Sequence, residues 1–129
     1  MNKPRLKPVI WIGSSLRDLR DFPIEVQKGI GDALQQIQRG LRPRSVKTLS
    51  GFGSASVLEI REDHNTDTYR TVYTIRFAER IYVLHAFQKK SHYGIQTAKH
   101  DVELIKARIK AAEALNRELN AAEQENTGQ

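Results

Sequence analysis

The sequence predicts an α+β protein in which helices pack on one β-sheet. Residues 56–62 and 69–77 alternate apolar and polar side chains with the period of two that is typical of strands. Residues 23–37 and 96–119 instead repeat apolar side chains at spacings of three and four, as amphipathic helices do. With a short apolar run at residues 8–12, these patterns predict the order strand, helical region, antiparallel strands and C-terminal helix.

The chain length of 129 residues is enough for one modest hydrophobic core. We therefore expect a single domain over residues 1–119 and a polar, flexible tail over residues 120–129. The absence of cysteine excludes a disulfide framework and thiolate metal sites. No apolar run approaches the roughly 20 residues that span a bilayer, and the N-terminus lacks the apolar stretch of a signal peptide, so we expect a soluble cytoplasmic protein.

The N-terminal third is expected to contain a buried strand and then helix. The run PVIWI at residues 8–12 predicts the strand. Ser14 or Ser15 is placed to cap a short helical turn, and a longer helix starts at Pro23, whose fixed φ suits a first turn, and ends at Gly40. The two helical segments are compatible with a helical hairpin or with one kinked helix. The apolar residues of the longer helix are Val26, Ile30, Ala33, Leu34 and Ile37.

Loop and strand segments alternate between residues 40 and 87. Residues 40–54 are rich in Gly, Ser and basic side chains, which predicts a loop that exposes its cations. These cations are Arg42, Arg44 and Lys47. In the strand that follows, Leu58 and Ile60 share one face, and we expect that face alone to be buried. After a second hairpin at residues 78–80, the last strand runs from Ile81 to about Phe87.

Four cations are expected to converge on one surface of this sheet. A hairpin turn at residues 65–66 places Arg61 directly or diagonally opposite Arg70, and like charges so placed favour an anion between them. The end of the next strand adds Lys89 and Lys90. We expect Arg70 to be exposed on its strand. The alternative is that each arginine pairs with a neighbouring carboxylate, and the candidate partners are Glu59, Glu62 and Asp63.

Positive charge is concentrated in the part of the chain that is expected to fold. Residues 1–110 hold 20 Lys and Arg against 11 Asp and Glu, a net charge of +9, whereas residues 111–129 hold 1 against 4, a net charge of −3. A basic domain of this kind favours a polyanionic partner such as nucleic acid. The alternative is that the charge serves solubility alone.

The histidines suggest no metal site. His85 lies within an apolar strand and fits a core histidine better than a catalyst. His92 and Tyr93 follow the lysine pair in a loop, where a base or a stacking ring is accessible. The spacing of His92, His100 and Asp101 matches no familiar ligand pattern. The sequence also lacks the GxxxxGK[ST], GxSxG and HExxH motifs.

The ordered set of motifs resembles the RelE/ParE superfamily of bacterial toxins, and within it the phage-related HigB-like branch. The set spans residues 8–115, and each motif alone is weakly specific. The motifs are FPIEVQKGIGDALQQIQRG at 22–40, LEIRED at 58–63, YRTVYTI at 69–75, LHAFQKKS at 84–91 and AKHDVELIKARI at 98–109.

The resemblance implies a RelE-like fold and a toxin that a cognate antitoxin, usually a small helix-turn-helix protein, neutralises. The activity that it implies is cleavage of mRNA on the ribosome, without a cofactor. Arg70 matches the sheet arginine of the family, Arg61 matches a basic residue of the preceding strand, and Lys89 and Lys90 match the basic pair after the last strand. Tyr93 lies near the position of a functional tyrosine.

The chemistry of RNA cleavage by the 2′-hydroxyl suits these side chains. RNA supplies its own nucleophile, the 2′-hydroxyl, so cleavage needs a base, cations for the phosphorane and an acid for the 5′-oxygen. A lysine crowded by cations, or His92, is a candidate base. We therefore expect a catalytic set and an RNA-binding set. The catalytic set is Arg61, Arg70, Lys89, Lys90 and His92, and the RNA-binding set is Arg42, Arg44, Lys47 and Tyr93.

Two alternatives to the nuclease remain open. ParE-like relatives inhibit DNA gyrase as binding proteins and tend to lack a convergent cationic site. An inactive, phage-derived basic domain that binds nucleic acid without sequence preference is the other alternative.

Overall fold

The computed structural model describes residues 6–89 and 98–127, which form one mixed sheet and three helices. The strands are β1 (Val9–Trp11), β2 (Val46–Thr48), β3 (Val57–His64), β4 (Asp67–Thr74) and β5 (Ile81–Lys89). The helices are α1 (Ser15–Arg20), α2 (Ile24–Gln38) and α3 (Lys99–Thr127). The sheet order is β1-β5-β4-β3-β2, with β1 parallel to β5 and the other neighbours antiparallel. The predicted α+β class and the predicted order of elements are confirmed.

The helical region consists of two successive helices rather than one kinked helix. At the start of α1, the Ser14 hydroxyl donates a hydrogen bond of 2.7 Å to the Asp18 carboxylate. Pro23 is the N-cap of α2, where its missing N–H costs no helical hydrogen bond. The apolar residues predicted for α2 are all buried.

The sheet has a hydrophobic core on each face. The α2-side core joins α1 and α2 to one face, and its larger members are Val26, Ile30, Leu34, Ile60, Tyr69, Tyr73 and Val83. The α3-side core joins α3 to the other face, and its members include Val57, Val72, Tyr82, Leu84, Ile105, Ile109 and Ala112. Each strand in the middle of the sheet is therefore covered on both faces over part of its length.

Strand β3 is buried on both faces from Val57 to Ile60, so the expectation of a single buried side is wrong there. Leu49, Phe52 and Ala55 of the preceding loop contribute to the α3-side core and cover this part of the strand. Glu59 consequently has 0% of its surface exposed. A cover supplied by a loop outside the strand leaves no mark on the alternation of the strand itself.

Residues 40–54 contain strand β2, which the sequence did not predict. Val46 is buried, and β2 pairs antiparallel to β3 with Val46 opposite Ile60 and Lys47 opposite Glu59. A strand of three residues between Pro43 and Gly51 is too short to display a period of two. The prediction of a loop throughout this segment is therefore wrong.

The β3–β4 hairpin has the predicted turn. Asn65 and Thr66 have φ angles of 48° and 69°, the left-handed values that a two-residue turn of type I′ requires. Arg61 lies directly opposite Arg70 in the resulting register, as predicted.

The pairing of β4 with β5 contains a β-bulge. Val72 is opposite His85, but Tyr73 is opposite Val83, so Leu84 is the additional residue. Leu84 belongs to the α3-side core, and His85 contacts Asp101 of α3. The bulge therefore turns two consecutive side chains toward α3.

Helix α3 continues to Thr127, beyond the predicted end at Leu119. The buried Arg80 guanidinium donates hydrogen bonds to the Asn116 and Asn120 side chains, at 2.9 and 2.7 Å, and also contacts Glu123. These contacts hold the polar end of the helix against the turn before β5. They pair residues far apart in the chain, so the local composition did not predict them.

Candidate functional site

Four cations lie on the α3-side face of the sheet, toward the end at which β5 finishes. We call this group, Lys47, Arg61, Arg70 and Lys89, the cationic surface. The register places them on four neighbouring strands, because Lys47 is opposite Glu59, Arg61 is opposite Arg70, and Thr68 is opposite Lys89. The alternation of side chains puts all four on the same face as Val72.

Arg70 is buried and paired with Glu59. Its Nη1 atom donates to both carboxylate oxygens of Glu59, at 2.9 and 3.0 Å, and only 2% of Arg70 is exposed. The expectation of an exposed Arg70 is therefore wrong. The reason is that the buried carboxylate lies diagonally across the β3–β4 pair, where a charged partner offsets its desolvation.

Arg61 is more accessible but is also paired. Its Nε atom lies 3.3 Å from an Asp63 carboxylate oxygen, which also accepts a hydrogen bond of 2.9 Å from the Thr68 hydroxyl. The hydrogen bond from Thr68, followed by the interaction with Arg61, lowers the pKa of Asp63. Half of the Arg61 side chain is exposed, so it is able to turn toward a ligand.

Lys89 shows the effect of the neighbouring charges. Burial lowers the pKa of Lys89 below its ordinary value, and the nearby cations Arg70, Lys47 and Arg61 lower it further. Crowding of this kind makes the neutral amine more available at a given pH than in an isolated lysine. The sequence predicted this effect for a lysine at the end of β5.

The cationic surface retains positive charge after its acidic neighbours are included. Lys47 lies 4.0 Å from the Glu59 carboxylate, and half of its side chain is exposed. The four cations are accompanied by the two carboxylates Glu59 and Asp63, which leaves a net charge of +2. Such a surface favours the binding of an anion.

Two predicted RNA-binding residues lie elsewhere. Arg42 donates a hydrogen bond of 3.2 Å to the Thr48 hydroxyl, and Thr48 shares the α2-side face with Leu58. Arg44 lines a surface cavity with residues of α2 and with Glu62. Of the cations predicted in the loop, Lys47 therefore joins the cationic surface and these two do not. The predicted residues Lys90, His92 and Tyr93 lie outside the described residues.

His85 connects β5 to the first turn of α3. Its Nε2 atom lies 2.7 Å from the Asp101 carboxylate, and its ring stacks on Phe87 with 4.5 Å between ring centroids. It is buried, in agreement with its interpretation as a core histidine, and Nδ1 has no hydrogen-bond partner in the described part of the chain. Among residues 6–89 and 98–127, no group of three or more His, Asp or Glu residues is arranged to hold a metal ion.

The sequence analysis did not predict that Glu59 is buried and pairs with Arg70. Glu59 entered only as a possible partner for either arginine, since the strand pattern assigned it to a solvent-facing side. The alternation of Leu58, Glu59 and Ile60 therefore gave no signal that Glu59 is buried.

The model of a phage-derived protein family described as Gp49-like (DUF891) matches residues 17–110. The match includes the whole cationic surface and the beginning of α3. No curated protein and no solved structure gives a significant match to the chain. Within the part of the chain that the structure describes, no helix has the length and apolar character needed to cross a membrane.

Proposed function

The chain belongs to the phage-derived Gp49-like protein family, and from this premise we propose that it is the toxin of a type II toxin–antitoxin system. More specifically, we propose a RelE/HigB-like endoribonuclease that cleaves mRNA on the ribosome. The observation that carries this proposal is geometric: four neighbouring strands place Lys47, Arg61, Arg70 and Lys89 together on one face of the sheet. Under this proposal the protein acts in the cytoplasm, and its partners are the ribosome, mRNA and a small helix-turn-helix antitoxin.

The proposed reaction uses the nucleophile of the RNA itself. Neutral Lys89 accepts the proton of the 2′-hydroxyl as that oxygen attacks the adjacent phosphorus. Arg61 and Lys47 interact with the negative charge that develops on the phosphorane, because their half-exposed side chains reach outward from the sheet. Arg70 acts as a positioning residue: it holds Glu59 and helps to keep the pKa of Lys89 low. The acid for the 5′-oxygen is assigned to Lys90 or His92.

The ion pairs favour a second candidate function. Arg70 is neutralised by Glu59, and Arg61 is partly neutralised by Asp63. Fewer free cations suit a toxin that acts by binding, as ParE-like inhibitors of gyrase do. The remaining charge of the cationic surface and the crowded Lys89 favour the nuclease.

Expression of the chain without an antitoxin separates these functions. We expect growth arrest with rapid loss of translation and cleavage of mRNA, while plasmid supercoiling stays normal. Altered supercoiling with intact mRNA would assign the gyrase function. The absence of any toxicity, at verified expression, would indicate an inactive nucleic-acid-binding domain.

The chemistry of the cut ends tests the mechanism. Attack by the 2′-hydroxyl leaves a 2′,3′-cyclic phosphate or its opened 3′-phosphate, whereas two-metal hydrolysis normally leaves a 3′-hydroxyl. We expect 2′,3′-cyclic phosphate or 3′-phosphate ends on mRNA that is cut on ribosomes. Cutting should be lost when the nucleotide at the cut site carries a 2′-deoxy sugar. Efficient cutting of that substituted message would contradict the proposed nucleophile.

A further inference from the structure

Strand β5 carries an aromatic ring into the cationic surface. Phe87 lies directly opposite Arg70 in the register of β4 with β5, and residues so placed have Cβ atoms about 4.5 to 5.5 Å apart. Lys89 is the next residue on the same face of β5. Phe87 is partly exposed, whereas residues 81–86 of the strand are buried. An apolar side chain therefore reaches the protein surface among the cations.

The ring of Phe87 is held in place by a second ring. The His85 ring lies against one of its faces, with 4.5 Å between the centroids and 17° between the planes. His85 is buried, and its Nε2 atom lies 2.7 Å from the Asp101 carboxylate of α3. Because these contacts fix the position of the ring, Phe87 loses little conformational freedom when a ligand binds to it.

The second face of the Phe87 ring is turned toward the cations. His85 and Phe87 are successive residues on one face of β5, so the direction from the first ring to the second follows the strand toward Lys89. Among residues 6–89 and 98–127, His85 is the only residue whose ring stacks on Phe87. A planar group bound beside Lys89 would extend the stack of these two rings.

A role in the hydrophobic core explains only part of this arrangement. Phe87 packs against the α3-side core, and burial of an apolar side chain stabilises a protein in proportion to the area removed from water. Phe87 nevertheless stays partly exposed, next to Arg70 and Lys89. Proteins that bind unpaired nucleotides combine these same groups, because cations contact the phosphates while an aromatic ring stacks on a base.

We propose that Phe87 is the stacking platform for one unpaired nucleobase of an RNA whose phosphates lie on the cationic surface. This inference rests on the proposed function, which assigns the cationic surface to RNA. Every base has a planar face, so the contact adds affinity and positions the nucleotide without reading its identity. The site takes single-stranded RNA, since the bases of a duplex already stack on one another. His85 and Asp101 are positioning residues, because they act on the nucleotide through Phe87.

The test separates contacts with bases from contacts with phosphates. One probe is a fluorescent pentanucleotide with 2′-O-methyl sugars, which the proposed reaction cannot cleave. The other is a base-free sugar–phosphate chain with the same number of phosphates. Binding of the full chain to each probe is measured by fluorescence anisotropy at low salt.

We expect Phe87→Leu to bind the pentanucleotide about 10-fold more weakly than the parent protein does, because a stacked base is lost. Its affinity for the base-free chain should equal that of the parent, since the cations are unchanged. Phe87→Tyr keeps an aromatic ring and should retain the parental affinity for both probes. Phe22→Leu is the matched control: Phe22 is also partly buried and contacts another ring, that of Tyr69, but it packs against the α2-side core. It should bind both probes as the parent does.

Three results would overturn the inference. The first is a Phe87→Leu protein that binds the pentanucleotide as tightly as the parent. The second is an equal loss of affinity for both probes, which would assign Phe87 to the fold alone. The third is a loss in Phe87→Tyr as large as the loss in Phe87→Leu.

Cleavage of mRNA on ribosomes, measured with the parent protein, keeps the proposed function separate. A parent that does not cleave, together with a base-dependent loss of binding in Phe87→Leu, removes the nuclease and retains the stacking site. Normal cleavage without that loss removes the stacking site and retains the nuclease.

Discussion

At the scale of single residues, the ion pair between Arg70 and Glu59 is the most buried contact of the cationic surface. A buried ion pair contributes little net stability compared with apolar residues of the same shape, but loss of one partner leaves an uncompensated charge. Lys47, at 4.0 Å and half exposed, compensates Glu59 only weakly. Substitution of Arg70 is therefore expected to affect folding as well as the proposed chemistry.

We predict that Arg70→Ala lowers the free energy of unfolding by about 3 kcal/mol, the cost of an unpaired buried charge. Urea denaturation provides the measurement. A midpoint equal to that of the parent protein would contradict the buried pair. The exposed Arg70 that the sequence analysis expected would instead predict little change in stability on this substitution.

The double variant Arg70→Met with Glu59→Leu separates stability from chemistry. It removes both charges and leaves apolar groups of similar length, so we expect it to recover most of the stability. Growth arrest on expression should nevertheless weaken, since loss of the guanidinium raises the pKa of Lys89, and loss of the Glu59 carboxylate, which itself raises that pKa, offsets only part of the change. Full toxicity in the double variant would remove Arg70 from the proposed mechanism.

Under the proposed function, the lowered pKa of Lys89 predicts a pH dependence of mRNA cleavage. The neutral fraction of Lys89 grows as pH rises toward its lowered pKa, so the cleavage rate should increase between pH 6 and 9. Lys89→Arg keeps the charge but stays protonated, and we expect a loss of about 10²-fold to 10⁴-fold in rate. Ribosome binding should change little. A Lys89→Arg protein that cleaves normally would show that the lysine only binds phosphate.

Glu62 predicts a pH dependence of stability. Burial first, and then the carboxylates Asp63 and Asp32, raise the pKa of Glu62 above its ordinary value. Its ionised form is therefore disfavoured by folding, and its contribution to stability becomes less favourable as pH rises from the unfolded-state pKa to the raised one. Glu62→Gln should stabilise the protein by roughly 0.5 kcal/mol at pH 7 and have no effect below about pH 4. Urea denaturation at both pH values, with the exposed Glu103→Gln as control, measures this difference.

At the scale of elements, the end of α3 is fixed by a contact with the β4–β5 connection. Deletion of residues 120–129 removes two of the partners of the buried Arg80, Asn120 and Glu123, and should cost about 2 kcal/mol. Deletion of residues 125–129 keeps both partners and should stay within about 0.5 kcal/mol of the parent protein. Thermal or urea unfolding compares the two truncations. Equal stability of the two truncated proteins would mean that the contacts of Arg80 with Asn120 and Glu123 do not stabilise the fold.

The elements differ in how far the sequence predicts them. The turn at Asn65 and Thr66 follows from local chemistry, and it determines the pairing of Arg61 with Arg70. By contrast, β2 and the burial of Glu59 depend on packing between separate segments, which the local pattern of either segment does not show. The sequence therefore predicted that Arg61, Arg70 and Lys89 share one surface, but it did not predict that Lys47 joins them or that Arg70 has a buried partner.

For the whole molecule, the shared sheet should make unfolding cooperative. Trp11, the single tryptophan of the chain, packs against the α2-side core, while α3 contributes 29 helical residues on the other face. Because both cores use the same strands, neither is expected to persist without the other. Urea transitions followed by tryptophan fluorescence and by far-ultraviolet circular dichroism should coincide. An earlier loss of the helical signal would show that α3 detaches independently.

The parallel pairing of β1 with β5 also controls when the molecule becomes complete during translation. Val9 and its partner Ile81 are roughly 70 positions apart, and α3 follows later still. At roughly 5 to 20 residues per second, about 4 to 14 seconds pass between the synthesis of these partners. The nascent chain has no finished sheet during that interval. For the proposed toxin, this order means that the cationic surface, which includes Lys89, is incomplete until β5 has been synthesised.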